Sequence, residues 1–322
     1  MNPRKLNLRK LTGLAGPFIG LILVILIFSL MPEISGRFLS PANIKNVATQ
    51  SVIVALCALG MTLIIVSGGI DLSAASNLAL SCVLVAYAIN KGIPPLLAAL
   101  IGIVAGGTIG FLNGFLITRL RMVPFIVTLG MMGIARGLAK WIAKNQKIDA
   151  PLSWLNDLML RSPKPSWLLV SPGIWMMLFF SLVMAILLRK TVFGRHAQAV
   201  GSNELTARLC GVRTDRVKVL VYTISGLLCG LAGVMEFSRL TVGDPTVAIG
   251  LELDIIAAVV IGGGSLSGGE GSVLGTLVGV FIMSFLRNGC TMMGWPNYFQ
   301  EIIIGIIIIT AVTLDRLRHR QE

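Results

Sequence analysis

The chain predicts an all-α integral membrane protein of about ten transmembrane helices, and three observations carry that prediction. Of its 322 residues 55% are hydrophobic and only 13% are charged, where a soluble domain of this size carries about 25% charged residues. Apolar runs recur along almost the whole length, among them 16–31, 52–66, 96–116, 174–188 and 302–314, each near the roughly 20 residues that cross a bilayer as helix. Two glycine-broken turns, Ser67-Gly68-Gly69-Ile70-Asp71-Leu72-Ser73 and Gly262-Gly263-Gly264-Ser265-Leu266-Ser267-Gly268-Gly269-Glu270-Gly271, interrupt those runs at membrane depth. Unpaired backbone in lipid is costly, so irregular chain there is buried in protein or lines a wet cavity. Two such breaks, broken or re-entrant helices near 67–73 and 262–271, point to a translocation path.

Taken in order, the spans are 14–31, 47–67, 72–90, 95–118, 122–143, 171–188, 218–238, 254–265, 271–290 and 298–314. The first follows Arg4, Lys5, Arg9 and Lys10 and ends at Met31-Pro32-Glu33 with no small-x-small site, so it reads as an uncleaved membrane helix rather than a signal peptide. The third is crowded with Ala74, Ala75, Ser76, Ala79, Ser81, Cys82, Ala86 and Ala88, small residues that let backbones approach in lipid and place it inside the bundle. The eighth is short, either a full crossing or a half-helix. Alternation from an inside N-terminus puts 119–121, 189–217 and 315–322 in the cytoplasm, with both termini there. Those segments hold Arg119 and Arg121, then Arg189, Lys190, Arg195, Arg208, Arg213 and Arg216 with Lys218 just beyond, then Arg316, Arg318 and Arg320, the positive-inside pattern. Lys140, Lys144, Lys147, Arg161 and Lys164 run against it.

The whole chain, 1–322, therefore reads as one polytopic domain with a cytoplasmic segment at 189–217 and an external one at 145–170. The external segment, with Pro151, Pro163, Pro165, Trp154 and Trp167, is long enough to form a landing surface. The net charge of +13 sets topology rather than marking a nucleic-acid partner. Cys57, Cys82, Cys210, Cys229 and Cys290 lie mostly within apolar runs and act as small hydrophobes, not a disulfide framework.

Several chemistries are excluded. No Gly-Lys-Ser/Thr occurs, so the phosphate loop is absent. Gly269-x-Gly271 lacks the βαβ context of a dinucleotide fold. The two histidines, His196 and His319, sit in basic segments, which removes Ser-His catalysis and intramembrane His metal sites. Among the carboxylates, Glu236, Glu270 and Glu301 remain, while Glu252 and Asp254 sit at a helix start where the dipole favours them. No catalytic residue and no metal site is expected.

Asp71, after two glycines at a helix start, reads as a cap accepting the N–H of Ser73 or Ala74, a role compatible with lining the substrate path or its gate. The two turns resemble each other, Gly-Gly-Ile-Asp-Leu-Ser against Gly-Gly-Gly-Ser-Leu-Ser. In the cytoplasmic segment, 201–212 reads as a short helix. Ser202 or Asn203 caps its start, Glu204 suits the first turn and Gly211 ends it, with Leu205 and Leu209 on one face. Such a helix either lies on lipid or fits a soluble partner.

In combination, SGGIDLS at 67–73, Gly194-Arg195 followed by GSNELTARLCGV at 201–212, and LELDIIAAVVIGGGSLSGGEG at 251–271 closely resemble the permease subunits of ribose/xylose/arabinose-type ABC importers. The match holds in order and spacing over nearly the whole chain. The resemblance implies a subunit of the bacterial plasma (inner) membrane that pairs with a second copy or a paralogue. Two cytoplasmic ATP-binding subunits would grip a coupling helix carrying Asn203, Glu204, Ala207, Arg208 and Gly211. An external sugar-binding protein would deliver a monosaccharide such as ribose. ATP would be used by the partner, with no cofactor in this chain and no enzymatic activity of its own. The second, third, eighth and ninth spans would wall the path, with Asp71, Ser73, Asn77, Ser265 and Ser267 along it or at its gate. The alternative is an ion-coupled secondary carrier of small polar solutes, with Asp71 or Glu236 taking the ion.

Overall fold

The computed structural model describes residues 3–161, 163 and 168–319, with the backbone course alone at 3–15, 311–312 and 314–319. The side chains of Arg4, Lys5, Arg9, Lys10, Arg316 and Arg318 fall outside that description, as do residues Lys164, Pro165, Trp167 and Arg320 altogether. Helices dominate the described residues: α1 (Pro3–Ser29), α2 (Ser35–Phe38), α3 (Pro41–Val66), α4 (Ala74–Asn90), α5 (Pro95–Arg119) and α6 (Pro124–Ile142) form the first half. A short strand β1 (Ile148–Asp149) and a 3-10 turn (Trp154–Met159) precede α7 (Pro172–Lys190), α8 (Val192–Ser202), α9 (Glu204–Leu209) and α10 (Thr214–Leu240). Strand β2 (Val242–Gly243) then leads to α11 (Leu251–Ile261), α12 (Val273–Met292) and α13 (Asn297–His319). Prolines at the first turns of α3, α5, α6 and α7 start those helices, where the missing N–H costs nothing and φ is already helical.

Among the described residues six helices, α3, α5, α6, α7, α10 and α12, are long and apolar enough to cross a membrane, and α1, α4 and α13 carry shorter apolar stretches. With α11 these match the ten expected spans. The eighth is a half-helix: its 11 residues rise about 16 Å against a hydrocarbon core of roughly 30 Å.

Helix α3 is the axis of the bundle, buried almost continuously from Ser51 to Ser67. Helices α7, α10, α11 and α12 pack against it, and α4 and α5 pack in turn on α10, α5 through small residues. Gly102, Gly106, Gly110 and Gly114 recur every fourth residue and so form one stripe on α5. That stripe meets Gly226 and Gly230 of α10. A Cβ on Gly106 would lie 2.5 Å from the Gly226 carbonyl oxygen, and one on Gly110 would overlap the Tyr222 carbonyl oxygen. In lipid no hydrophobic drive holds two helices together, so close backbone contact does this work.

At one end of the bundle β1 pairs antiparallel with β2, Ile148 opposite Gly243, and Asn90 Nδ2 donates to the Asp149 carbonyl at 2.7 Å. Lys147, which runs against the charge bias, pairs there with Asp244 at 3.3 Å. Burial pushes the Asp244 carboxyl up, but hydrogen bonds from Thr246 together with Lys147 outweigh it and leave it below the ordinary carboxylate value.

A third irregular stretch, absent from the sequence expectations, follows β2. Gly262 packs on Gly275 and Gly279 on Ala258, so α11 runs antiparallel to the first part of α12. That register sets Leu251 well short of the end of α12, and residues 244–250 must descend to meet it. Two of their carbonyls, Pro245 and Val247, accept from Arg136 Nη1 of α6 at 2.8 and 2.7 Å, which satisfies backbone that lipid would leave unpaired.

Replacing Gly110 with Val is expected to destabilise the bundle by at least the ~1–3 kcal/mol typical of overpacking, read as loss of monodisperse protein in mild detergent. Gly130→Ala, with open space around its Cβ position, should leave yield and unfolding midpoint unchanged.

Candidate functional site

The first broken turn ends α3 with a left-handed Gly68 (φ 79°). Its N–H donates to the Ile65 carbonyl at 2.9 Å and that of Gly69 to Ile64 at 2.9 Å, the paired bonds that close a helix C-terminus. Asp71 then turns the chain into α4: its Oδ1 accepts from the Ser73 backbone N–H at 2.8 Å and from the Ser73 hydroxyl at 2.6 Å. Asn113 of α5 donates to Ser73 Oγ at 2.9 Å, and Asn77 donates to the Gly106 carbonyl at 3.1 Å. Tyr222 of α10 and Thr128 of α6 both donate to the Ile70 carbonyl at 3.3 Å. Asp71, Ser73, Asn77 and Asn113 are all buried, where the start of α4 meets α5 and α10. Asn113 escaped the sequence reading because a lone Asn between glycines of an apolar run carries no pattern.

The second turn ends its helix in the same way. Gly263 is left-handed (φ 89°), and the N–H groups of Gly263 and Gly264 donate to the Val260 and Val259 carbonyls at 2.9 Å each. The geometry therefore aligns Gly68 with Gly263, one residue on from the pairing that the sequences suggest. Beyond it the turns differ, since 262–272 is longer and Ser272, not an Asp, caps the next helix by accepting from Gly275 N–H at 2.9 Å. Ser265 is buried and Ser267 is exposed. The Thr62 and Thr276 hydroxyls meet at 2.7 Å and tie α3 to α12.

The two turns touch, and the segment before α9 closes the contact. Gly269 N–H donates to the Val66 carbonyl at 2.9 Å. A Cβ on Gly201, at the end of α8, would overlap both the Val66 carbonyl oxygen and come within 2.6 Å of the Gly269 nitrogen. A Cβ on Gly268 would lie 2.5 Å from the Gly201 carbonyl oxygen. Three stretches distant in sequence thus meet backbone to backbone.

Helix α8 itself was not expected, although Thr191 caps it by accepting from Gly194 N–H at 3.1 Å and Ala197 and Val200 bury its inner face. The helix at 204–209 is as read: Asn203 Oδ1 accepts from Thr206 N–H at 2.8 Å. Gly211 and Val212 donate to the Arg208 and Ala207 carbonyls at 3.0 Å and end it. Glu204 pairs with Lys218 at 2.6 Å and with Arg208 at 3.5 Å, and Arg208 reaches Asp215 at 3.2 Å. Single exposed pairs are weak, but this chain of four fastens α9 to the start of α10. Ala207 faces inward, leaving Leu205 and Leu209 71% and 80% exposed as an apolar pair on one face.

Of the carboxylates weighed from sequence, Glu236 accepts both Nε and Nη2 of Arg239, at 3.1 and 2.6 Å. Asp254 does more than sit in a first turn: its Oδ2 lies 2.6 Å from Arg287 Nε, outside hydrogen-bond angles, an ionic contact linking α11 to α12. No group of three metal-ligating side chains occurs among the described residues.

The N-cap position of α4 is Ser73, with no side-chain cap bond, so Asp71 closes the turn before the helix rather than capping it. Asp71→Ala is expected to lower stability by on the order of 1 kcal/mol through its lost bonds to Ser73, seen as a lower thermal midpoint in detergent. Asp71→Asn keeps an acceptor oxygen and should cost less.

Residues 43–312 match the family model described as branched-chain amino acid transport system / permease component. The ribose import permease protein of Bacillus subtilis (strain 168) is 42% identical, covering 94% of this chain and 92% of its own. The corresponding protein of Escherichia coli (strain K12) is 35% identical over 92% of each, and the L-arabinose ABC transporter permease protein of Azospirillum brasilense is 37% identical over 94% of this chain and 88% of its own. No solved structure matches the chain. The chain belongs to this family of transport-system permease components, multi-pass membrane proteins rather than enzymes, and the relatives just named are ribose and L-arabinose permeases.

Proposed function

We propose that this chain is the membrane subunit of an ATP-driven importer of a monosaccharide, ribose or a close relative. It would work in the bacterial inner membrane with both termini cytoplasmic. The observation that carries the reading is α9: a helix capped at both ends, fastened by four charges, that presents Leu205 and Leu209 outward. A helix merely lying on lipid needs no such fastening, whereas one pushed by a soluble partner does. The partner is a pair of cytoplasmic ATP-binding subunits, which supply the ATP chemistry that this chain's lack of a phosphate loop denies it. The relatives' names, ribose and L-arabinose permeases, support the choice of cargo.

In this reading a sugar-binding protein docks on the end bearing the external segment 145–170 beside β2, and the single polytopic domain pairs with a second permease. The turn at 67–73 and the turn at 262–271 form the inner gate. Asp71 acts on it by holding the Ser73 backbone, Ser73 and Asn77 by tying the start of α4 to Asn113 and Gly106 of α5, while Ser265 and exposed Ser267 belong to the moving turn. Sugars are neutral polyols, so no strong charge site is required. An ion-coupled carrier would need a vacant carboxylate, yet Glu236 is occupied by Arg239 and Asp71 by Ser73.

Replacing 204–211 with a flexible linker should leave the chain in the membrane but abolish both co-purification of the ATP-binding subunits and ATP-dependent uptake of radiolabelled ribose. Uptake at the parental rate would refute the assignment of α9. Asp71→Asn should lower uptake rate without changing which sugar competes.

A further inference from the structure

The contact of Gly201 with both broken turns has a mechanical meaning. Gly201 is the last residue but one of α8, and α9 begins at Glu204, three residues on. On its other side Gly201 sits against the Val66 carbonyl, the last residue of α3, and against Gly268 and Gly269 of the second turn. Ser202 joins the contact, since a Cβ on Gly269 would lie 2.3 Å from Ser202 Oγ. The turns are themselves locked by the Gly269–Val66 bond at 2.9 Å. The Gly68 Cα lies 3.0 Å from a Cβ placed on Gly268, so no side chain separates the two turns at that point.

Side chains can hop rotamers and absorb a small displacement, but backbone packed on backbone cannot. Closely packed elements pass strain on because they have few empty spaces to take it up. A displacement of α9 therefore reaches the ends of α3 and α11 and the starts of α4 and α12 together.

We propose that Gly201, with Gly268 and Gly269, is a rigid joint that carries movement of α9 to both broken turns at once. These glycines are positioning residues for import, and none needs to touch the sugar. The inference rests on the reading of α9 as the helix moved by the ATP-binding subunits. It adds to that reading where the movement goes and why three glycines are required.

The test uses the full importer in liposomes, with its ATP-binding subunits and binding protein, and measures radiolabelled ribose taken up per ATP hydrolysed. Gly201→Ala drives a methyl group into the Val66 carbonyl and opens the joint. The expected result is that the ATP-binding subunits still co-purify at parental stoichiometry and still hydrolyse ATP. Uptake per ATP then falls by roughly tenfold, within the range of coupling energies between sites. Unchanged uptake per ATP in an assembled Gly201→Ala importer would overturn the joint.

Should that variant fail to assemble, the intact joint is measured directly. Spin labels are placed at exposed Cys210 and at Ser267→Cys, which leaves all three glycines in place. A rigid joint keeps their separation the same with and without a non-hydrolysable ATP analogue, and a separation that changes beyond the label spread would overturn it. Failure of the parental importer to take up any pentose would instead count against the sugar-import reading, and the label distances would still decide the joint.

Discussion

Backbone against backbone is the contact on which this molecule depends. Inside a bilayer, burying a leucine against another leucine gains little over leaving it in lipid, so helices must be held by close packing and by hydrogen bonds. The chain meets that constraint with glycine at each critical crossing. The α5 stripe from Gly102 to Gly114 lies on Gly226 and Gly230 of α10. Gly262 and Gly275 join α11 to α12, and Gly201 lies on the turns at 66–69 and 268–269. The first two contacts fix the bundle. The third connects the bundle to the segment outside it.

The same physics explains the polar residues in the interior. Broken helices leave N–H and C=O groups that lipid cannot satisfy, and each break has its own supplier. Asp71, Thr128 and Tyr222 serve the first turn, and Ser272 with the Gly269–Val66 bond serves the second. Arg136 serves the stretch before α11 through two carbonyls. An arginine at membrane depth would be costly if it faced lipid. Here it substitutes for the missing helix bonds of residues 244–250, and that explains its presence on α6.

Much of this was legible in the sequence. Apolar runs and basic loops give the ten helical segments because hydropathy and charge bias are one-dimensional signals. The Asp71 bond to the Ser73 N–H and both ends of α9 could be read because such bonds are local, fixed by residues two to four apart, although the N-cap position itself is Ser73. Contacts between distant segments were not legible. Nothing in GSN at 201–203 says that Gly201 meets Val66, and nothing in a lone Arg136 says that its partners are the carbonyls of Pro245 and Val247. The two turns align in the structure one residue away from the pairing of their sequences for a related reason: a run of three glycines does not reveal which one takes the left-handed conformation. The buried placement of Asp71, Ser73 and Asn77 likewise follows from the packing of α5 and α10 rather than from the turn that contains them.

The most direct test of the central claim, that this permease acts only with an ATP-binding partner, is purification of the tagged chain from its native membrane in mild detergent. Mass spectrometry then identifies what accompanies it. The expected result is an ATP-binding subunit at near-equal stoichiometry, lost when Leu205 and Leu209 are both replaced by Asp. Repeated recovery of the chain alone from membranes that take up its sugar would contradict the claim.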